Sequence, residues 1–145
     1  MHLCGRRLYE VMRYWETAGE NPSAPEHELE FAEIWNRTPK IVFSKTLDAV
    51  QGNARLAKER VSEEVARLKE QPGGEMAVGG AGLASAFMRL GLIDEYRLFV
   101  SPVVLGGGTP YFPASEERID LKLIETRTFG SRVVYLRYQR AEEGP

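Results

Sequence analysis

The sequence of 145 residues predicts an α/β protein: a three-layer sandwich on a mainly parallel central sheet, followed by an antiparallel C-terminal hairpin. Three observations predict it. Short apolar, β-rich runs alternate with segments of helical period. Glycines gather where those runs pass into helices. The C-terminal part changes to an apolar–polar alternation around one turn. With 43% apolar and 28% charged residues, the chain has material for one core, and a single domain spanning 1–145 is expected.

The opening segment "MHLCG" is short and apolar, a strand ended by Gly5. In "RRLYEVMRYWE" the residues Leu8, Val11, Met12 and Trp15 recur at helical spacing, so one helix follows. "TAGENPSAPE" has the chemistry of a loop; "EHELEFAEIWNR" returns to a helical period through Leu29, Phe31, Ile34 and Trp35, and Pro39 helps to stop it. "KIVFS" is a brief strand and "TLDAVQGNA" a connection. "SEEVARLKEQPGG" is a helix with Ser62 as N-cap, Glu63 and Glu64 at the positive end of its dipole, and Pro72-Gly73 past its end. "EMAVGG" follows as a buried strand, and "LASAFMRLGL" as a helix with Gly91 at C′. "DEYRLFVSPVVL" is a long strand ended by "GGG", and "DLKLIETRTFGSRVVYLRYQR" forms two antiparallel strands around Gly130-Ser131.

Several function classes are excluded at this level. No apolar run approaches the roughly 20 residues of a membrane span, and "MHLCGRRLYE" lacks a secretory hydrophobic stretch, so a cytoplasmic location and no membrane partner are expected. The lone Cys4 cannot form an internal disulfide, and His2 and His27 stand too far apart for a zinc-type cluster, so no metal is expected. Acidic and basic residues, 21 and 19, are mixed along the chain for a net charge of −2, without the basic field of a nucleic-acid binder. Any anion site must therefore be local.

Local anion chemistry is present at three strand-to-helix or strand-to-loop junctions. In "AVGGAGLASAF", Gly79, Gly80, Ala81, Gly82 and Leu83 open a helix after a strand. Glycines there let a backbone approach a ligand, and free N–H groups with a positive dipole end favour a phosphate. The same glycines also suit a sharp turn with close helix–strand packing. A dinucleotide fingerprint of the Rossmann kind is absent, because Ser85 holds the place of the third small residue. Gly5-Arg6-Arg7 lies at a second junction, and Ser44-Lys45-Thr46, a cation with two hydroxyls, follows the strand "KIVF". Ligands of open α/β sheets bind at that carboxyl edge.

The ordered set "LCGRRLYEVMRYW", "KIVFSKTL" and "GGAGLASAFMRLGLIDEYRLFVSPVVLGGGTPYF" resembles the dihydrofolate reductase superfamily, in particular the branch similar to the C-terminal reductase domain of the bacterial bifunctional riboflavin-biosynthesis deaminase-reductase. The resemblance spans nearly the whole chain and implies a dihydrofolate-reductase-like fold that binds NADPH along the carboxyl edge of its sheet. Carried over by residue, it implies that Gly5, Arg6 and Arg7 meet the cofactor's phosphates, that Ser44, Lys45 and Thr46 meet the region of the adenosine 2′-phosphate, and that Gly79, Gly80, Ala81, Gly82 and Leu83 cradle the pyrophosphate. The family's opening strand, with its Ser-Leu-Asp-Gly-like motif, has no counterpart here. The domain is thus expected to be N-terminally short, cofactor residues carry over while substrate residues do not, and poor turnover is expected.

Catalytic residues stay unassigned. Tyr9, Glu10, Tyr14, Trp15 and the loop from Gly106 to Phe112 suit a pocket wall, but Tyr9 and Trp15 equally suit helix packing. Asp94-Glu95 is either an acid–base pair or a solvated turn, and Cys4 either a reactive thiol or a buried inert one. Two functions follow: an NADPH-dependent reductase of a pterin-like or aminopyrimidine-like heterocycle, or a non-catalytic nucleotide-binding or dimerisation module of the same fold. A homodimer is expected, because "YRLFVSPVVL" and the terminal strands would otherwise leave apolar edges uncovered.

Overall fold

The structure, a computed structural model, describes residues 1–142, so that 143–145 of the expected domain lie outside the described residues. The chain divides into two compact units, Met1–Ala86 and Phe87–Pro145. No helix among the described residues is long and apolar enough to cross a membrane.

The first unit is built on a four-stranded parallel sheet. Its strands are β1 (His2–Gly5), β2 (Lys40–Phe43), β3 (Ala54–Ala57) and β4 (Ala77–Gly79), in the order β3-β2-β1-β4. Cys4 lies opposite Val42 on one side and Gly79 on the other. Strand side chains alternate between faces, so Cys4 and Val42 share one face, where they form a core with Tyr9. Tyr9 comes from α1 (Arg6–Met12), which continues through Arg13 into α2 (Tyr14–Ala18). The same face receives α3 (Glu26–Arg37), whose Trp35 meets the His2 ring edge-on at 5.6 Å. Leu3 and Ile41 point the other way, as does Arg55 of β3 by register. Arg55 ion-pairs with Glu64 of α4 (Val61–Glu70), which places α4 on that opposite face. Helices on both faces of a parallel sheet give the three layers.

Two buried charges in this unit are each held by several partners. Glu64 is sealed from solvent and accepts hydrogen bonds from Arg55 and Arg67, the latter also pairing with Glu59 at 2.6 Å. Burial pushes its carboxyl up, but the hydrogen bonds from the arginines outweigh that and hold it below the usual range. Lys40, only 5% exposed, donates to the carbonyls of Trp35 and Thr38 and lies 4.6 Å from the Trp35 ring centroid. It thereby satisfies carbonyl groups at the C-terminal end of α3.

The second unit holds a three-stranded antiparallel sheet of β5 (Glu95–Val100), β6 (Leu121–Thr128) and β7 (Val134–Arg140), in the order β5-β7-β6. On its charged face Arg137 of the central strand reaches Glu95 at 3.6 Å and Glu125 at 3.7 Å. The helix α5 (Ala81–Arg89) ends in a Schellman arrangement, as Gly91 at C′ predicts: Gly91 has φ +66°, its N–H donates to Met88, and the N–H of Leu92 donates to Phe87.

Four local expectations are corrected. The helix expected over "RRLYEVMRYWE" is interrupted at Arg13, where Glu16 N–H bonds the Arg13 carbonyl in the tighter three-residue pattern. The connection "TLDAVQGNA" runs into β3, a strand too short and too lacking in alternation to signal itself. Ser62 is not the N-cap of α4; Arg60 holds that place in extended conformation without a side-chain cap, and Ser62 falls inside the first turn. The long strand "DEYRLFVSPVVL" stops at Val100 because Pro102 offers no N–H and restrains Ser101 before it.

The β6–β7 turn centres on Gly130-Ser131 as expected, with Arg132 N–H donating to Phe129 at 2.9 Å and Phe129 N–H to Val133 at 2.9 Å. Exposed Arg132 has φ +67°, the left-handed conformation that this hairpin type reserves for glycine. Arg132→Gly should relieve that strain and raise stability by about 1 kcal/mol, seen as a higher urea midpoint. A lowered midpoint would contradict the strain.

Candidate functional site

Parallel pairing brings the carboxyl ends of β2, β1 and β4 side by side, and these ends carry all three sequence junctions. At the centre, Gly5 is the N-cap of α1 with extended backbone (φ −84°, ψ 175°) and no side-chain cap, and Arg6 and Arg7 occupy the exposed first turn. At the β2 end, Ser44 Oγ accepts from the backbone N–H groups of Thr46 at 3.2 Å and Leu47 at 3.1 Å, which folds Ser44-Lys45-Thr46 into a tight hydroxyl-ordered turn. The two junctions are joined directly: Arg6 Nη1 donates to Thr46 Oγ1 at 2.9 Å, and its Nε donates to Glu10 at 2.8 Å.

At the β4 end the glycines have separate physical duties. A Cβ on Gly79 would stand 2.7 Å from Leu8 Cδ2 and 3.1 Å from His2 Nε2, so Gly79 permits helix α1 to lie close against the strand. Gly80 has φ +92°, a conformation that turns the chain from β4 into α5 and disfavours any side chain. Gly82, in the exposed first turn of α5, has nothing within 4 Å of its Cβ position. Neither packing nor turn geometry therefore calls for glycine at 82. Ala81 and Leu83 flank it in the same turn.

Other candidates sort by environment. Cys4 is fully buried and its thiol is pushed up to about 11 by burial, which makes it an inert core residue. Tyr9 is buried, its hydroxyl accepting from Gln51 N–H at 2.8 Å, and Trp15 packs edge-on against Phe31 at 4.6 Å. Both serve packing. Glu95 of the Asp94-Glu95 pair is engaged by Arg97 at 3.4 Å and Arg137 at 3.6 Å. In the second unit the segment from Gly106 to Phe112 has no regular structure; Tyr111 donates to the Arg97 carbonyl at 3.0 Å, and Phe112 approaches Tyr96 at 5.9 Å. Sequence reasoning missed two roles: Leu8 as the side chain beneath Gly79 and Gly80, and Glu10 as partner of Arg6. The four-residue spacing of Arg6 and Glu10 was the available signal for the second.

A cavity of about 510 Å³ lies elsewhere in the first unit, at the amino edge of the sheet, lined by Lys40, Asn53, Arg55 and Arg67 among others. Its cations are engaged, Lys40 by backbone carbonyls and the arginines by Glu64, whereas the carboxyl edge offers helix starts and open donors. The carboxyl edge is the stronger candidate on chemistry.

Comparison with known proteins agrees with this architecture. A sequence model of the family described as RibD C-terminal domain matches residues 2–135. Uncharacterized protein YyaP of Bacillus subtilis (strain 168) is 38% identical over 137 residues, covering 94% of this chain and 71% of that protein. Uncharacterized protein YwjB of the same organism is 43% identical over 77 residues, 52% of this chain and 44% of its own. A solved structure from Shewanella sp. PV-4, of a protein assigned to riboflavin biosynthesis, has a TM-score of 0.75 at 22% identity, covering 97% of this chain and 73% of that one. A pyrimidine reductase-like protein from Corynebacterium diphtheriae has a TM-score of 0.65 at 11% identity, covering 98% and 76%. At those identities the two structures speak for the fold: an α/β fold with a parallel sheet and an antiparallel C-terminal sheet.

Gly82 is the clean probe of the junction. Gly82→Ala should stabilise the protein by roughly 0.5–1 kcal/mol, the usual gain of alanine over glycine in a helix, while weakening any phosphate that sits on the turn. Melting temperature and phosphate-ligand affinity measured together check this, and a variant that is more stable with unchanged affinity would show that Gly82 does not face a ligand.

Proposed function

The chain belongs to the RibD C-terminal domain family, and on that premise we propose that it is an NADPH-dependent reductase of a pterin-like or aminopyrimidine-like heterocycle. The observation that carries the reading is the convergence of three phosphate-suited junctions on adjacent carboxyl ends of one parallel sheet. The residues fit the cofactor: the open space at Gly82 and the N-terminus of α5 suit a pyrophosphate, and the Arg6–Thr46 pair beside Ser44 and Lys45 suits a 2′-phosphate. Gly5, Arg6 and Arg7 would hold further phosphate oxygens, with Gly79, Gly80, Ala81 and Leu83 shaping the cradle. When bound, NADPH supplies the hydride, and the protein's work is to position and shield it. The likeness to a riboflavin-biosynthesis protein from Shewanella and a pyrimidine reductase-like protein from Corynebacterium supports a heterocycle of this class. The reading includes a cytoplasmic location.

Cofactor choice follows from the donors. NADPH differs from NADH by one phosphate, and charge-assisted hydrogen bonds contribute on the order of 1.5–3 kcal/mol each. Two such bonds favour NADPH by about 10² to 10⁴ in affinity, less at high salt, where exposed charges are screened. Titrating both cofactors against wild type and Lys45→Ala, at low and high salt, tests this; equal affinities for NADPH and NADH would refute it. Loss of reduced-nicotinamide absorbance with pterin and aminopyrimidine substrates tests catalysis, and tight binding with no turnover on any of them would favour the non-catalytic nucleotide-binding module.

We further propose a homodimer, because Phe99, Val104 and Leu105 are 67%, 95% and 83% exposed in the second unit, an apolar surface that a partner copy would cover. Sedimentation at micromolar concentration should give twice the chain mass, and a monomer alone would count against the pairing.

A further inference from the structure

Of the three cations at the Gly5-Arg6-Arg7 and Ser44-Lys45-Thr46 junctions, the protein itself holds one. Arg6 is anchored through Nε to Glu10 and through Nη1 to Thr46, whereas neither Arg7 nor Lys45 has a side-chain hydrogen bond or ion pair among the described residues. Thr46 Oγ1 lies 3.3 Å from Ser44 Oγ, whose own position is set by two backbone N–H groups. A continuous polar chain thus runs Glu10–Arg6–Thr46–Ser44, from the outer side of α1 to the turn after β2. The anchored guanidinium keeps its remaining N–H donors in a fixed plane, while the unanchored cations must lose rotamer freedom on meeting an anion.

We propose that Glu10 is a positioning residue that sets specificity for a 2′-phosphorylated adenosine by holding Arg6 against Thr46. This rests on the proposed reading of the edge as an NADPH site and deepens it. Two effects of Glu10 oppose one another. Its negative charge repels every phosphate in the neighbourhood, but both partners of the pair are about half exposed, at 48% and 46%, so that repulsion is weakened by solvent and salt. Its hydrogen bond to Nε acts only on what Arg6 touches, and it removes in advance the cost of ordering that side chain. The positioning effect therefore dominates for a phosphate on Arg6 and is absent for phosphates elsewhere.

The test uses adenosine 2′,5′-bisphosphate and adenosine 5′-monophosphate as probes, titrated by calorimetry against wild type, Glu10→Ala and Glu10→Gln. Wild type should prefer the bisphosphate. Glu10→Ala should reduce that preference roughly 3- to 10-fold, the scale of one side chain that must be ordered on binding, with the monophosphate affinity little changed. Glu10→Gln keeps an acceptor for Nε without the charge and should retain the preference. In the unliganded proteins, the Arg6 Nε–H resonance should exchange slowly in wild type and Glu10→Gln and rapidly in Glu10→Ala. An undiminished preference in Glu10→Ala, or rapid Nε–H exchange in wild type, overturns the role of Glu10 and leaves the NADPH site standing. Equal affinity of wild type for the two probes overturns the 2′-phosphate reading, and the specificity role of Glu10 with it. A parallel loss for both probes in Glu10→Ala would mark a merely structural residue and also overturns the proposal.

Discussion

The parallel pairing of β1 with both β2 and β4 is the constraint on which the first unit depends. Because all three strands run the same way and in tight register, their carboxyl ends finish together, with Cys4 level with Val42 and Gly79. A strand paired on both sides spends its backbone donors and acceptors on its neighbours. Helices on both faces then seal its side chains, leaving Leu3 and Cys4 with 2% and 0% exposure. Nothing in the middle of such a strand is available for chemistry. The reactive possibilities are driven to the ends, where the chain must turn and where helix N–H groups are unspent.

The glycine-rich junction shows how different physical constraints divide within one motif. Gly79 answers to packing, since Leu8 and His2 occupy the space its side chain would need, and Gly80 answers to backbone conformation at φ +92°. Gly82 answers to neither. The close approach of Leu8 that Gly79 permits also holds α1 beside the start of α5. The packing that shapes the turn also sets the arginines of α1 near the same edge.

Buried charge follows a similar economy. Lys40 and Glu64 are taken from water only because each meets several partners at once, backbone carbonyls for the first and two guanidinium groups for the second. Partnering of this kind offsets a desolvation penalty of several kcal/mol per ion. The same logic separates the edges of the sheet: at the amino edge Lys40 is held by backbone carbonyls and Arg55 and Arg67 by Glu64, while at the carboxyl edge Arg7 and Lys45 have no side-chain hydrogen bond or ion pair among the described residues.

Much of this protein was determined by local sequence. Helical periods in "EHELEFAEIWNR" and "SEEVARLKE", the alternation around Gly130-Ser131, and Gly91 at the end of α5 are short-range signals, and a helix, a hairpin and a helix end stand at these places, with only the start of α4 displaced from Ser62. The junctions Gly5-Arg6-Arg7, Ser44-Lys45-Thr46 and Gly79–Leu83 were legible for the same reason, as glycines, cations and hydroxyls at strand ends. Tertiary structure decided the rest. β3 exists because β2 offers it an edge to pair with, a preference that "ARLA" does not carry in its own composition. Lys40 looked like one residue of a strand, and only the approach of α3 turned its ammonium into a cap for that helix. Glu10 and Thr46 lie 36 positions apart in the chain, yet both hold Arg6, because parallel pairing of β1 with β2 brings the turns that follow them together. Spacing along a sequence reports what lies within a turn or two of helix or strand, whereas contact across a sheet depends on strand order, which no single segment encodes.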